Sequence, residues 1–206
     1  MLVKLRSQVH YRTIASGVFH CERCGGDRPY RHRSGRRWAQ LVGIPLIPLD
    51  STGEHLRCTI CRTCYRVELL AVPTIEQMQA ALRHATTAAV LAMLSAGGSG
   101  SRAARRQGVE LIVRAGAAGY GEPDLALALD EATAADLRAA LETVGIQLEP
   151  PAKEWFLARV VQVGLADGLL SAAEREIALA VALGLGLSQA TADDVITLAE
   201  EAAQAG

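Results

Sequence analysis

Aromatic side chains are scarce in this chain: Phe, Trp and Tyr together make up 4% of its 206 residues. That scarcity argues against an aromatic-rich sandwich of sheets. The Ala and Leu that dominate the second half favour helices packed closely through small side chains. Long apolar runs are missing as well. The longest, "WAQLVGIPLIPL" and "TTAAVLAMLSAGG", fall short of the roughly 20 residues a membrane-spanning helix requires. The opening "MLVKLRSQVHYRTIASGVF" has no uninterrupted apolar core and no cleavage site, so no secretory leader is read there. A soluble cytoplasmic protein is the expectation. In a reducing compartment, CxxC pairs read as metal ligands or redox thiols before structural disulfides.

Catalytic constellations are also lacking. There is no Ser/His/Asp or Cys/His arrangement, no Walker loop and no dinucleotide fingerprint. "GGSGSR" is glycine-rich but lacks the lysine and the strand-to-helix setting that a phosphate loop needs. The chain reads as something other than an enzyme.

What is present divides in two. Hydrophobic residues make up 50% of the chain, enough for a core without disulfides. The net charge of −1 hides an asymmetry: residues 1–70 carry 12 Lys/Arg against 5 Asp/Glu, and residues 71–206 carry 9 against 17. A basic first part and an acidic second part imply two units with different tasks, or two surfaces that attract each other. Residues 18–70 read as short strands. Pro45 and Pro48 bar a helix there and fit edge segments, and "EHLRC" and "YRVELL" look like two arms of a hairpin. The lead-in, residues 1–17, has no usable period.

Residues 74–206 read as helices. Thr74 with Gln77 spells a capping box, and "GGSGS", residues 97–101, reads as a flexible joint. Further helices are expected over 102–118, from "PDLALAL", from a cap at Thr133 with Asp136, from Pro150 and Pro151, from Ser171 with Glu174, and from Thr191 with Asp194. Apolar residues at 156, 157, 160, 161 and 165 keep a helical period. "GYGEPDL" and "ADGLLSA" echo each other, placing Gly121 over Gly168 and Asp124 over Ser171, and suggest a duplicated helix-turn-helix.

The chemistry concentrates in five cysteines. Cys21 and Cys24 form one CxxC pair, and Cys58, Cys61 and Cys64 stand at equal intervals in "HLRCTICRTCYR". A two-residue spacer folds as a knuckle that turns both sulfurs inward, and four thiolates in a tetrahedron select zinc. Such a site is closed and structural. For a small unit with little core, metal binding would supply most of the folding free energy. "CERCGG" is a complete half-site, with Gly25 and Gly26 where the knuckle needs a permissive backbone. The other half is either Cys58 with Cys61 or Cys61 with Cys64. The first choice leaves Arg62 and Thr63 as a turn before "YRVELL", and the second leaves no turn residues. Cys58 and Cys61 are therefore favoured, with Cys64 spare: an inert thiol, or a redox thiol that exchanges with the ligands on oxidation. His20 and His55 lie near cysteines but are displaced by the four thiols.

The stretch "FHCERCGGDRPYRHRSGRRWAQLVGIPLIPLD…EHLRCTICRTCYR" resembles a bacterial zinc-ribbon domain of pattern F-x-C-x-x-C-G, R-R-W, I-P-L-I-P-L, C-x-x-C, over residues 18 to about 68. In that pattern a glycine follows the second pair, where Arg62 stands here, and the position of Cys64 is not a ligand. "LADGLLSAAEREI" supplies a second resemblance. Ala166, Asp167, Gly168, Ser171 and Glu174 match the A-D-G-x-x-S-x-x-E turn of the TerB family of tellurite-resistance and stress-response proteins. This likeness covers roughly residues 78–206. It implies an all-α bundle behind the ribbon, no catalysis, and acidic clusters that bind cations. Read from its residues alone, the turn is a helix end at a left-handed Gly168 followed by a capping box at Ser171 and Glu174. Asp167 and Glu174 would be the second, acidic metal site, for a divalent cation. The counterpart turn departs from the family, with Tyr120 where an aspartate belongs.

Together these features predict a small β zinc ribbon followed by an all-α TerB-like bundle, acting as an adaptor or sensor with protein partners. The alternative is nucleic-acid binding by the ribbon. Arg28, Arg31, Arg33, Arg36 and Arg37 interleave with Tyr30, His32 and Trp38, a mixture suited to phosphate contacts and base stacking. A metal-dependent hydrolase built on Asp167 and Glu174 has too few ligands.

Overall fold

The computed structural model describes residues 6–41, 44–131 and 134–205. The chain divides into two compact units, one ending at Gln77 and the other beginning at Met78. The first is a four-stranded antiparallel sheet in sequential order. Its strands are β1 (Arg6–Cys21), β2 (Gly26–Leu41), β3 (Ile44–Cys58) and β4 (Cys64–Tyr65). Seven helices follow among the described residues, and none is long and apolar enough to cross a membrane.

The first three strands are long, not short, and the lead-in without a readable period forms most of β1. The reason is that much of this ribbon has solvent on both faces. Tyr11, Ile14, Val18, Ile47 and Leu49 are all exposed. With neither face buried, no alternation of apolar and polar residues marks a strand. Among the described residues, buried hydrophobic side chains are found near the cysteines, where Phe19, Cys21, Leu56 and Cys58 form a small core with Tyr30, Tyr65 and Leu69 packed on it. β4 pairs only with the end of β3, at Leu56 and Arg57. Pro45 and Pro48 therefore sit where β3 is an edge, as residues without an amide N–H require.

The helices are α1 (Ile75–Met93), α2 (Arg102–Arg114), α3 (Glu122–Glu131), α4 (Ala134–Gly145), α5 (Pro150–Gly164), α6 (Ala172–Gly184) and α7 (Gln189–Ala205). The box before α1 forms as expected: the Thr74 N–H donates to Gln77 Oε1 at 2.9 Å and the Gln77 N–H to Thr74 Oγ1 at 3.2 Å. Beyond it, α1 runs into a π-helical turn over Leu94–Gly98, and Ser101 caps α2 by accepting the Ala104 N–H. The glycine-rich stretch thus lies within the helical unit. A methyl group on Gly97 would come within 2.7 Å of the Glu174 carboxyl carbon, so this backbone passes close against a buried side chain.

Helix α5 is central, packing on α2, α6 and α7. Phe156, Leu157, Val160 and Val161 are buried along it and Leu165 is half-buried, as their period requires. Small residues bring the helices close: a methyl on Gly108 would approach Val90 Cγ1 to 2.7 Å.

Two helix ends differ from expectation. Gly168 has φ 148 and ψ −155, an extended conformation of positive φ rather than a left-handed helical one, because a 3-10 turn over Leu165–Asp167 already ends α5. Helix α7 starts a turn before Thr191, since the Ser188 hydroxyl accepts the Thr191 N–H at 3.2 Å. The cap read at Thr133 lies outside the described residues. In the echo between the two halves, the Gly121 N–H donates to Asp124 Oδ2 as the Ser171 N–H donates to Glu174 Oε2. Gly121 therefore corresponds to Ser171 in role, not to Gly168.

Candidate metal centre

Two knuckles bring the cysteines together. In the first, Cys21 ends β1, a 3-10 turn covers Glu22–Cys24, and the chain reverses through Gly25 at φ 64 and ψ 37, whose N–H donates to the Glu22 carbonyl. In the second, Cys58 ends β3 and the Arg62 N–H donates to the Cys58 carbonyl at 3.1 Å. Arg62 has φ 61, the left-handed conformation of Gly25, and among the described residues it is the non-glycine with positive φ. Both knuckles thus turn through positive φ at the residue after the CxxC pair, glycine in the first and arginine in the second, although the closing bond spans three residues in the first and four in the second. The Thr59 N–H and hydroxyl both donate to the Pro29 carbonyl, holding the second knuckle to β2. Arg23 Nη1 joins the two knuckles through Thr63 Oγ1 at 3.1 Å.

The sulfurs of Cys21, Cys24, Cys58 and Cys61 lie within 4.8 Å of one another, and Cys21 and Cys61 are 3.7 Å apart. A tetrahedron with Zn–S bonds of about 2.3 Å has sulfurs about 3.8 Å apart, so the donor set fits that ion. Among the described residues, no other group of three or more His, Cys, Asp or Glu side chains is close enough to hold a metal.

Electrostatics at the cluster are uneven. The Thr63 hydroxyl and backbone lower the Cys61 thiol to about 6. Burial pushes Cys21 up, but hydrogen bonds led by the Tyr65 hydroxyl outweigh it and leave that thiol lowered. Burial and the neighbouring sulfurs raise Cys24 to about 12. The site favours thiolate at Cys61 and Cys21 and resists it at Cys24, a conflict that a divalent cation among the sulfurs would resolve. Tyr65 is raised to about 12, first because its proton is shared with Cys21 Sγ, 3.2 Å away. Its ring also meets Phe19 edge-on, with centroids 5.5 Å apart. Tyr65 is the supporting residue that sequence reasoning missed. Its signal was its place in the strand returning directly from the knuckle.

Cys64 is exposed and outside the cluster. It precedes Tyr65 on β4, so alternation directs its side chain to the face opposite the one that touches Cys21. His20 pairs with Asp27 at 3.5 Å, and His55 meets the Tyr11 ring edge-on. Neither joins the thiols. At the acidic turn, Glu174 is buried and its Oε2 accepts the Ser171 N–H at 2.8 Å, completing the capping box, while Asp167 is exposed. No third ligand joins these two among the described residues.

The basic residues separate along β2. Arg31 and Arg33 share one face and line a cleft with Arg57 and Arg62. Arg36, Arg37 and Trp38 lie beyond an irregularity of register at Gly35 and do not line it.

No protein family model matches the chain, and neither a curated protein nor a solved structure matches it.

Proposed function

We propose that the chain is a non-catalytic binding protein, an adaptor or sensor in a bacterial stress response of the tellurite-resistance type. It combines a structural zinc ribbon with a TerB-like helical bundle. The convergence of four thiols carries this reading: four protein sulfurs would fill every tetrahedral position of a bound zinc and leave none for substrate. The capping box at Ser171 and Glu174, the turn that bears the A-D-G pattern, supports the helical part. The test is metal analysis of the purified chain. One zinc per chain is expected, retained in Cys64→Ser and lost in Cys58→Ser. A Cys64→Ser protein that loses its metal would sink the ligand assignment.

A second reading, nucleic-acid binding by the ribbon, is favoured by one observation. None of Arg31, Arg33, Arg57 and Arg62 makes an ion pair with a carboxylate among the described residues.

A further inference from the structure

The cleft beside the second knuckle deepens that second reading, on which it rests. It has a volume of about 310 Å³ and is lined by Arg31, Arg33, Arg57, Arg62, Thr59 and Cys58. Pairing of β2 with β3 sets Arg31 directly opposite Arg57, and Arg33 opposite His55. Like charges placed opposite each other on a sheet repel, yet none of these arginines makes an ion pair among the described residues. Arg33 Nε is buried without a hydrogen-bond partner. The Arg57 Nε donates to the Arg62 carbonyl at 3.4 Å, drawing the knuckle arginine in beside the strand pair. The positive field reaches His55, whose pKa is lowered first by burial and then by Arg33 and Arg57. Four guanidinium groups around one cleft, without an ion pair among the described residues, suit an oxyanion, because the guanidinium fork matches phosphate in geometry and charge.

The neighbouring surface identifies the source of the phosphate. His55 meets Tyr11 with ring centroids 5.2 Å apart, and Tyr11 is 52% exposed. A row of arginines ending at an exposed aromatic ring suits a single strand, with phosphates in the cleft and a base on the ring. The geometry points to the Arg31–Arg33–Arg57–Arg62 cleft as the phosphate-binding site for single-stranded nucleic acid, with Tyr11 as its stacking platform.

Fluorescence anisotropy of a short labelled oligothymidylate, titrated with the full chain at several salt concentrations, tests this. Arg33→Gln with Arg57→Gln should weaken binding about tenfold or more, and shrink the slope of log affinity against log salt by about 1.4, two phosphates at about 0.7 each. Arg36→Gln with Arg37→Gln removes the same charge outside the cleft and should cost less than about threefold. Tyr11→Ala should weaken oligothymidylate binding several-fold, and polyglutamate should compete poorly. Far-UV circular dichroism checks that each variant folds. Arg33→Lys with Arg57→Lys keeps the charge and loses the fork, and decides the matter if the glutamine pair does not fold; it too should bind more weakly than the Arg36/Arg37 pair. Equal losses in both arginine pairs would overturn the cleft while leaving a basic ribbon that binds nucleic acid. No binding by the unaltered chain at low salt would overturn both. Polyglutamate competing as well as oligothymidylate, with Tyr11→Ala silent, would make the occupant an acidic protein segment and overturn the nucleic-acid assignment.

Discussion

The ribbon and the helical unit bury their side chains in very different amounts. The cluster in the ribbon has four buried members, Phe19, Cys21, Leu56 and Cys58, of which two are thiols. The helical unit's cluster, among the described residues, runs from Ala85 to Ile196 and draws on all seven helices and the connections beside them. Hydrophobic burial of the second kind can hold a fold by itself. A core of the first kind cannot offset the chain entropy of strands this long, so the ribbon depends on its backbone ladder and on whatever the sulfurs bind. One chain therefore carries two modes of folding, and each is open to separate attack.

The largest effect should come from stripping the zinc proposed for the four sulfurs. Structural zinc of this type contributes on the order of 10 kcal/mol or more to folding. A strong chelator should abolish amide protection across β2 and β3 in hydrogen exchange while leaving that of α5 and α6 intact. If both units lost protection together, the division of labour would be wrong. Next in size is the converse experiment. Leu157 is fully buried on the central helix α5, and Leu157→Ala should cost about 2–5 kcal/mol. The helical melt should fall and the metal content should not change. A Leu157→Ala protein that also lost its metal would tie the two units together.

The same contrast governs what could be read in advance. Helix starts were legible where a side chain closes a local loop, as at Thr74 with Gln77 and Ser171 with Glu174, because those hydrogen bonds span three residues. Thr191 misled because Ser188 stands one turn before it and caps equally well. Gly168 was legible as a stop but not in its conformation, which follows from the 3-10 turn ahead of it. In the ribbon, the residues that meet near the cysteines could be read from their spacing. The extent of the strands could not, since Tyr11, Ile14 and Val18 are exposed and leave no alternation to follow. Arg57 and Arg62 escaped notice for a related reason. Only the pairing of β2 with β3 places Arg57 beside Arg31, and only the knuckle turns Arg62 toward them.

The smallest predicted effect bears most directly on how the ribbon is held. Arg62 and Gly25 each follow a CxxC pair at positive φ, 61 and 64. For an arginine that conformation carries a steric cost of about 1 kcal/mol or more, part of which a glycine would return as greater freedom in the unfolded chain. Arg62→Gly should therefore stabilise the metal-bound ribbon by about 0.5–1 kcal/mol. In competition with a chelator this appears as metal binding roughly two- to fivefold tighter. Gly25→Ala should move the affinity the other way by a similar factor. The pair has opposite signs because both sites hold a positive φ that glycine adopts freely and a residue with a Cβ does not. If Arg62→Gly loosened the metal instead, the arginine would be holding the knuckle through its guanidinium rather than straining it. The same protein would reveal this in the oligothymidylate titration, because Arg62→Gly also removes one wall of the arginine cleft. Tighter metal with weaker oligothymidylate binding would mean that the strain at Arg62 is kept for the sake of the cleft.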